Sequence, residues 1–209
     1  MLLSPRPACR CFLVLGLAIV LVACATPIAQ TLQIRYAGNV SPSQAPGRVV
    51  GLQALQDRRT GADPFQIGYR DLGGGRQERY FSGAQDVATS VTAAVEELAR
   101  RRGFRTERIK GWDLTPGTMA GVAQGRAFVV GGVIEKLACQ AVKQALRTDA
   151  TVEVRLVLYL GKVDTGVVHR RPVDIRLERV DVRFEPEKAE SFLNQVLGEA
   201  LEKGLADLI

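Results

Sequence analysis

The side chains that could carry chemistry are few and scattered. The chain has a single histidine, His169, in the run Val168-His169-Arg170-Arg171, with no second imidazole from which to build a metal site. No G-x-S-x-G elbow, H-E-x-x-H helix or C-x-x-C pair occurs. The triple glycine Gly73-Gly74-Gly75 could cradle a phosphate, but no GK[ST] or GxGxxG continuation follows it and no helix opens directly after it. It reads instead as the turn of a hairpin. Asp57 could act as an acid or base with a second carboxylate. Beside Arg58 and Arg59 at a strand end, it reads more simply as a turn or ion-paired structural residue. No catalytic residue, metal ligand or cofactor is therefore assigned, and the expectation is a protein that is not an enzyme.

One cysteine has a context of its own. Arg6 and Arg10 precede an apolar run from Cys11 to Ala23, the layout of a secretory signal. That run is shorter than the roughly 20 apolar residues needed to span a bilayer. It ends Leu21-Val22-Ala23-Cys24, which resembles the lipobox of bacterial lipoproteins: a branched residue, two small or apolar residues, then cysteine. The resemblance implies thioether diacylation of Cys24, cleavage before it and acylation of the new amino group, so the membrane becomes a partner through covalent lipid. Ala25 follows, not the aspartate that resembles an inner-membrane retention signal. The expected location is thus the periplasmic face of the outer membrane, in preference to the inner one.

Removing residues 1–23 from the 209-residue chain leaves 186, the size of one ordinary domain. The formal charge of +6 loses two arginines with that segment and becomes +4. No Lys/Arg block interleaves with aromatics, so nucleic acid is not an expected partner. Cys9 and Cys11 leave with the signal and Cys24 takes lipid, which strands Cys139 without an internal disulfide partner. Its neighbours Leu137, Ala138, Ala141 and Val142 point to burial.

The elements follow from apolar spacing. Thr31–Tyr36 reads as a short strand, and 38–47, rich in Gly, Pro and Ser, as a connector. Three segments are expected: 1–23 signal, 24–47 acylated terminus and extended connector, 48–209 a single domain. Within it, Val50, Leu52 and Ala54 alternate as in a strand. Phe65, Ile67 and Tyr69, then the glycines, then Tyr80-Phe81 make a hairpin. Val87, Val91, Ala94, Val95 and Leu98 form one stripe of a helix over 86–102, ended by Gly103. A strand over 127–137 carries Gly131-Gly132, where a bulge or close packing is expected, and 138–148 reads as a twisted hairpin arm. Val152, Val154, Leu156, Leu158 and Leu160 alternate with Thr151, Glu153, Arg155 and Tyr159, one buried face and one wet one. In the next strand the apolar phase shifts between Leu177 and Val180, which implies a bulge at Glu178-Arg179. A long helix over 186–208 opens at Pro186. The expected fold class is α+β: a mostly antiparallel sheet of about six strands with two main helices packed on one face.

The lipobox, the Pro-containing connector, Asp57-x-Arg59, Ile67-Gly68, the helix ending Arg102-Gly103-Phe104 and the valine-rich late hairpin together resemble the small envelope lipoproteins of the YajG type. The resemblance implies an envelope lipoprotein without known catalytic residues. The expected role is a non-catalytic interaction or scaffold module with an envelope protein partner. A wider resemblance, to auxiliary lipoproteins of envelope transport systems, leaves open a lipid- or ligand-handling accessory. Asp57, Arg58 and Arg59, with the neighbouring loop to Asp63 and the turn from Gly73 to Glu78, are the expected partner-binding positions. Oligomeric state is left open.

Overall fold

The computed structural model describes residues 28–41, 47–61 and 63–206. Its axis is one long strand, β7 (Phe128–Lys143). The strand β8 (Thr148–Lys162) pairs antiparallel with all of it, and β9 (Val167–Asp181) pairs antiparallel with β8. Three shorter strands, all parallel to β7, occupy its opposite edge in succession. β2 (Val49–Gln53) lies against Phe128–Val130, β3 (Gln56–Asp57) against Val133 and Ile134, and β4 (Gln66–Gly73) against Cys139–Val142. Outside β2 lies the parallel β6 (Arg105–Ile109). Outside β4 lie the antiparallel β5 (Arg76–Ser82) and then β1 (Ile28–Leu32), parallel to β5.

This overturns the expected fold class. The protein is mostly β, with nine strands in one mixed sheet among the described residues, a 15-residue helix α1 (Val87–Arg101), a four-residue helix α2 (Pro116–Met119) and α3 (Pro186–Gly204). The physical reason is that alternation reports which face of a strand is buried and says nothing of its neighbour's direction. The segments β2, β3 and β4, each too short to dominate a window, share the edge of one strand.

The inner face of the sheet carries the main core. Val152, Val154, Leu156, Leu158 and Leu160 are fully buried there against Leu193, Val196, Leu197 and Leu201 of α3 and, through the same cluster, Val91, Val95 and Leu98 of α1. α1 begins where Asp86 accepts a hydrogen bond from the Thr89 N–H at 2.7 Å, and Gly103 with φ +89° ends it. The outer face is covered at one end only. Ile109, Trp112, Leu114 and Met119 lie on Val129, Val133 and Val157 in a second, smaller core. Gly131 permits this cover, because a Cβ there would stand 2.6 Å from Leu114 Cδ2.

Two local expectations change. Pairing of β8 with β9 runs without a register shift from Thr148↔Asp181 to Lys162↔Val167, so no bulge exists at Glu178-Arg179. Instead Arg179 takes the inner-face position and lies over the Phe192 ring at 4.6 Å, while Val180 stays exposed. The bulge falls in β7, between Ile134 and Lys136.

Residues read as a connector join the folded body. After β1, an extended strap runs along α3. Gln33 N–H donates to Glu190, Arg35 N–H to the Asn194 side chain at 2.9 Å, Asn194 Nδ2 donates back to the Gln33 carbonyl, and Tyr36 O–H donates to Glu202 at 2.6 Å. Glu190, Asn194, Gly198 and Glu202 recur at every fourth residue, hence on one helix face, and Gly198 lets the backbone of Gly38 approach.

A candidate binding cleft on the open face of the sheet

The cleft exists because three strands must share one edge. β3 leaves β7 after Asp57, and β4 does not reach it until Gly68 meets Cys139. From Glu135 to Ala138 the β7 edge therefore has no strand beside it. At the same place the bulge sets Glu135 off the ladder: Ile134 faces Leu156 and Lys136 faces Arg155, leaving Glu135 unmatched. The extra residue also moves the buried positions of β7 from Val130 and Ile134 to Leu137, Cys139 and Ala141.

The loop after β3 bridges this gap, and Arg59 fixes it. Its guanidinium donates to the Asp57 carboxylate at 2.8–2.9 Å and to the backbone carbonyls of Gln66 at 2.5 Å and of Asp63 and Pro64 at 3.2 Å. Only 6% of the Arg59 side chain is exposed. Burial pushes the Asp57 carboxyl up, but hydrogen bonds from Arg59 and its charge outweigh that and hold it below the ordinary carboxylate range. Asp57 and Arg59 thus lock a loop, and the side chain of Arg58, which donates to Gln56 Oε1 at 3.0 Å, is exposed and takes no part in the lock.

Two adjoining hollows open on the outer face. One of about 520 Å³ lies between Arg59, Thr60, Tyr69, Glu135, Lys136 and Gln140. The other, about 440 Å³, lies between Arg58, Val133, Val157, Tyr159 and Arg170, and both share Thr60, Glu135 and Arg155. Lys136 and Arg155 in their lining belong to an ion-paired row across three strands: Lys136 to Glu153 at 2.6 Å, Glu153 to Arg155 at 3.2 Å, and Arg155 to Asp174 at 2.9 Å. Such a surface offers alternating charge and hydrogen-bonding groups around a small apolar patch. The outward phase of β8 was legible as the wet face of its alternation. Glu135 was not, because a bulge has no periodic signature.

The other expected positions lie elsewhere. The Gly73–Gly75 turn has positive φ at all three glycines, as a tight hairpin needs, and Arg70–Leu72 separate it from Tyr69 at the cleft. Glu78 is buried and 3.5 Å from Arg70, so it is not part of a displayed tip. His169 is half-buried within β9 opposite Leu160, not in an exposed turn. Cys139 is fully buried, and burial pushes its thiol up to about 12. It is protonated at neutral pH and has no nucleophilic character there. Among the described residues no group of three or more His, Cys, Asp or Glu is placed to hold a metal, and no helix is long and apolar enough to cross a membrane. Cys24 lies outside the described residues.

No family model and no curated protein sequence matches the chain. Solved structures do. A Xanthomonas campestris protein of the family DUF330 matches 85% of this chain and 93% of its own at 14% identity, with a TM-score of 0.51. An uncharacterised protein matches 88% of this chain and all of its own at 7% identity, with a TM-score of 0.53. At these identities the likeness is one of fold. A lipoprotein of Neisseria meningitidis aligns over 73% of this chain and 96% of its own at 8% identity, but its TM-score of 0.34 is too low to inform the reading.

Proposed function

We propose that this protein is a non-catalytic binding module of the bacterial cell envelope, held by lipid on Cys24 at the periplasmic face of the outer membrane, with a protein partner seated in the open-face cleft. The observation that carries the reading is the unpaired stretch of β7 edge at the Glu135 bulge, fenced by an Arg59-locked loop and lined by the ion-paired Lys136 and Arg155. A preformed cleft with mixed charge, set on strands and not on a mobile loop, suits recognition of a polar protein segment. The catalytic reading has less support, because the buried thiol and the half-buried histidine do not converge with it.

A lipid-handling role in a transport system needs an enclosed apolar cavity. The polar lining of both hollows favours the protein partner.

The test is photocrosslinking in intact envelopes from a crosslinker at Thr60, with one at Val167 on the far side as control. A discrete adduct from position 60 alone supports the cleft. Equal capture from both positions, or none from position 60, removes it. Fractionation of a Cys24→Ser variant checks the anchor. Release into the soluble periplasm is expected, and labelled fatty acid still on the variant would exclude Cys24 as the acceptor.

A further inference from the structure

Three of the most exposed apolar side chains are Leu146 (87% exposed), Val182 (80%) and Val180 (61%). The strand register brings them to one end of the molecule. Lys143 pairs with Thr148, so Leu146 tips the β7–β8 hairpin; Thr148 pairs with Asp181, so Val180 and Val182 stand at the end of β9 beside it. The β4–β5 turn reaches the same level, since Asp71 lies beside Val142. Here too β1 enters the sheet, because Ile28 at its start pairs with Glu78, three residues past that turn.

The charge at this rim is of two kinds. Arg147 is paired with Asp149 at 3.1 Å and Lys188 with Asp181 at 2.7 Å. Arg76, Lys143 and Arg183 are exposed, and none forms an ion pair among the described residues. Glu185 and Glu187 follow at the start of α3, with Glu187 beside Val180 and Lys188. Exposed cations thus flank the apolar tips, a composition that suits an interface of anionic headgroups over hydrocarbon.

We propose that this rim is seated in the headgroup layer of the membrane, with Leu146 and Val182 dipping toward the acyl chains. The proposal rests on the reading of Cys24 as the lipid acceptor. Only three residues, Ala25 to Pro27, then separate the anchor from Ile28, a reach of at most about 14 Å. A headgroup layer is roughly 5–8 Å deep. The domain cannot stand off on such a tether, so whatever surrounds Ile28 meets the bilayer, and what surrounds it is this rim. The β8–β9 turn and Val167 point the opposite way.

The experiment uses the full-length protein extracted from envelopes and reconstituted in phosphatidylethanolamine/phosphatidylglycerol vesicles containing acyl-chain-brominated lipid, which quenches nearby tryptophan. Native Trp112, buried under the outer face, is the constant background. The variants Leu146→Trp and Val182→Trp should each add emission that brominated lipid lowers at least twofold. The added emission of Val167→Trp should be unaffected. Both rim variants unquenched while the protein still floats with the vesicles would overturn the rim and leave the anchor standing. Protein that neither floats nor carries labelled fatty acid at Cys24 would overturn the anchor and the rim with it. Quenching equal at 146, 182 and 167 would also overturn the proposal, because it would mean the domain has no preferred face.

Discussion

The carbonyl oxygen of Cys139 fills the space that a side chain on Gly68 would need: a Cβ at position 68 would lie 1.8 Å from it. No rotamer can relieve that contact, because the obstacle is backbone in the central strand. β4 can join β7 only with glycine at this point.

Gly68→Ala should therefore force the two strands apart at the first residue of their pairing. A loss of about 3 kcal/mol or more is expected, the scale of severe backbone or packing conflicts. Denaturant unfolding measures it. A variant within 1 kcal/mol of wild type would mean that β4 can shift along β7 without cost.

The neighbouring arginines should behave oppositely. Arg59→Ala removes a largely buried guanidinium that ties the Asp57 carboxylate to three backbone carbonyls, and about 2–3 kcal/mol should be lost. Arg58→Glu should leave stability within about 0.5 kcal/mol of wild type, as exposed sites usually do, while weakening crosslinking at Thr60. Melting curves run beside the crosslinking assay separate the two. Equal destabilisation by both would refute the division between lock and contact.

Asp57 gives the lock a pH dependence. Its folded pKa lies below the ordinary value of 3.8, so its stabilising contribution is complete above that value and is lost as pH falls through the folded one. Asp57→Asn should be less stable than wild type at neutral pH, and the gap should close below about pH 3.8. Unfolding midpoints between pH 2 and pH 7 provide the check. A gap that stays constant on acidification would show that the carboxylate is not the partner that matters.

Leu156, fully buried where β8 meets α3, should cost about 2–5 kcal/mol on truncation to alanine, and Leu156→Asp should abolish cooperative folding. Cys139 provides a convenient reporter of that loss. Its buried, protonated thiol should resist alkylation at pH 8 in wild type and react fully in the Leu156→Asp variant.

These residues also show where sequence reasoning holds and where it stops. The Leu156 stripe, the helices over Val87–Arg101 and Pro186–Gly204 and the burial of Cys139 all follow from apolar spacing, which local geometry enforces. The mixed sheet does not, because the partner of β4 is chosen some 70 residues downstream by a register that only the packed core decides. The cleft was half visible. Asp57, Arg58 and Arg59 mark its loop, yet two of them hold the loop instead of facing outward, and Glu135 stands at the cleft only because β7 carries one residue too many for its partner. The phase change at Glu178-Arg179 misled for a related reason: an arginine stacked on Phe192 satisfies an inner-face position as a hydrophobic residue would.

The ladder of Glu190, Asn194, Gly198 and Glu202 under the strap has a consequence for the order of events in a chain synthesised from its N-terminus. The strap's hydrogen-bond partners on α3 lie between 155 and 166 positions away, at the far end of the sequence. The first segment to emerge is therefore among the last to find its place: Arg101 reaches the Gly38 carbonyl at 3.0 Å, but the strap's bonds to Glu190, Asn194 and Glu202 wait for α3. Contacts of such long range form late, after loop closure has been met by the rest of the fold. On the proposed reading of Cys24, lipid would be attached while the neighbouring strap is still unfastened, and docking of α3 would then draw that terminus onto the finished domain. A chain truncated before Glu190 should leave the strap open to protease while the anchor is intact, so that the last turns of the protein act as the clasp on its first.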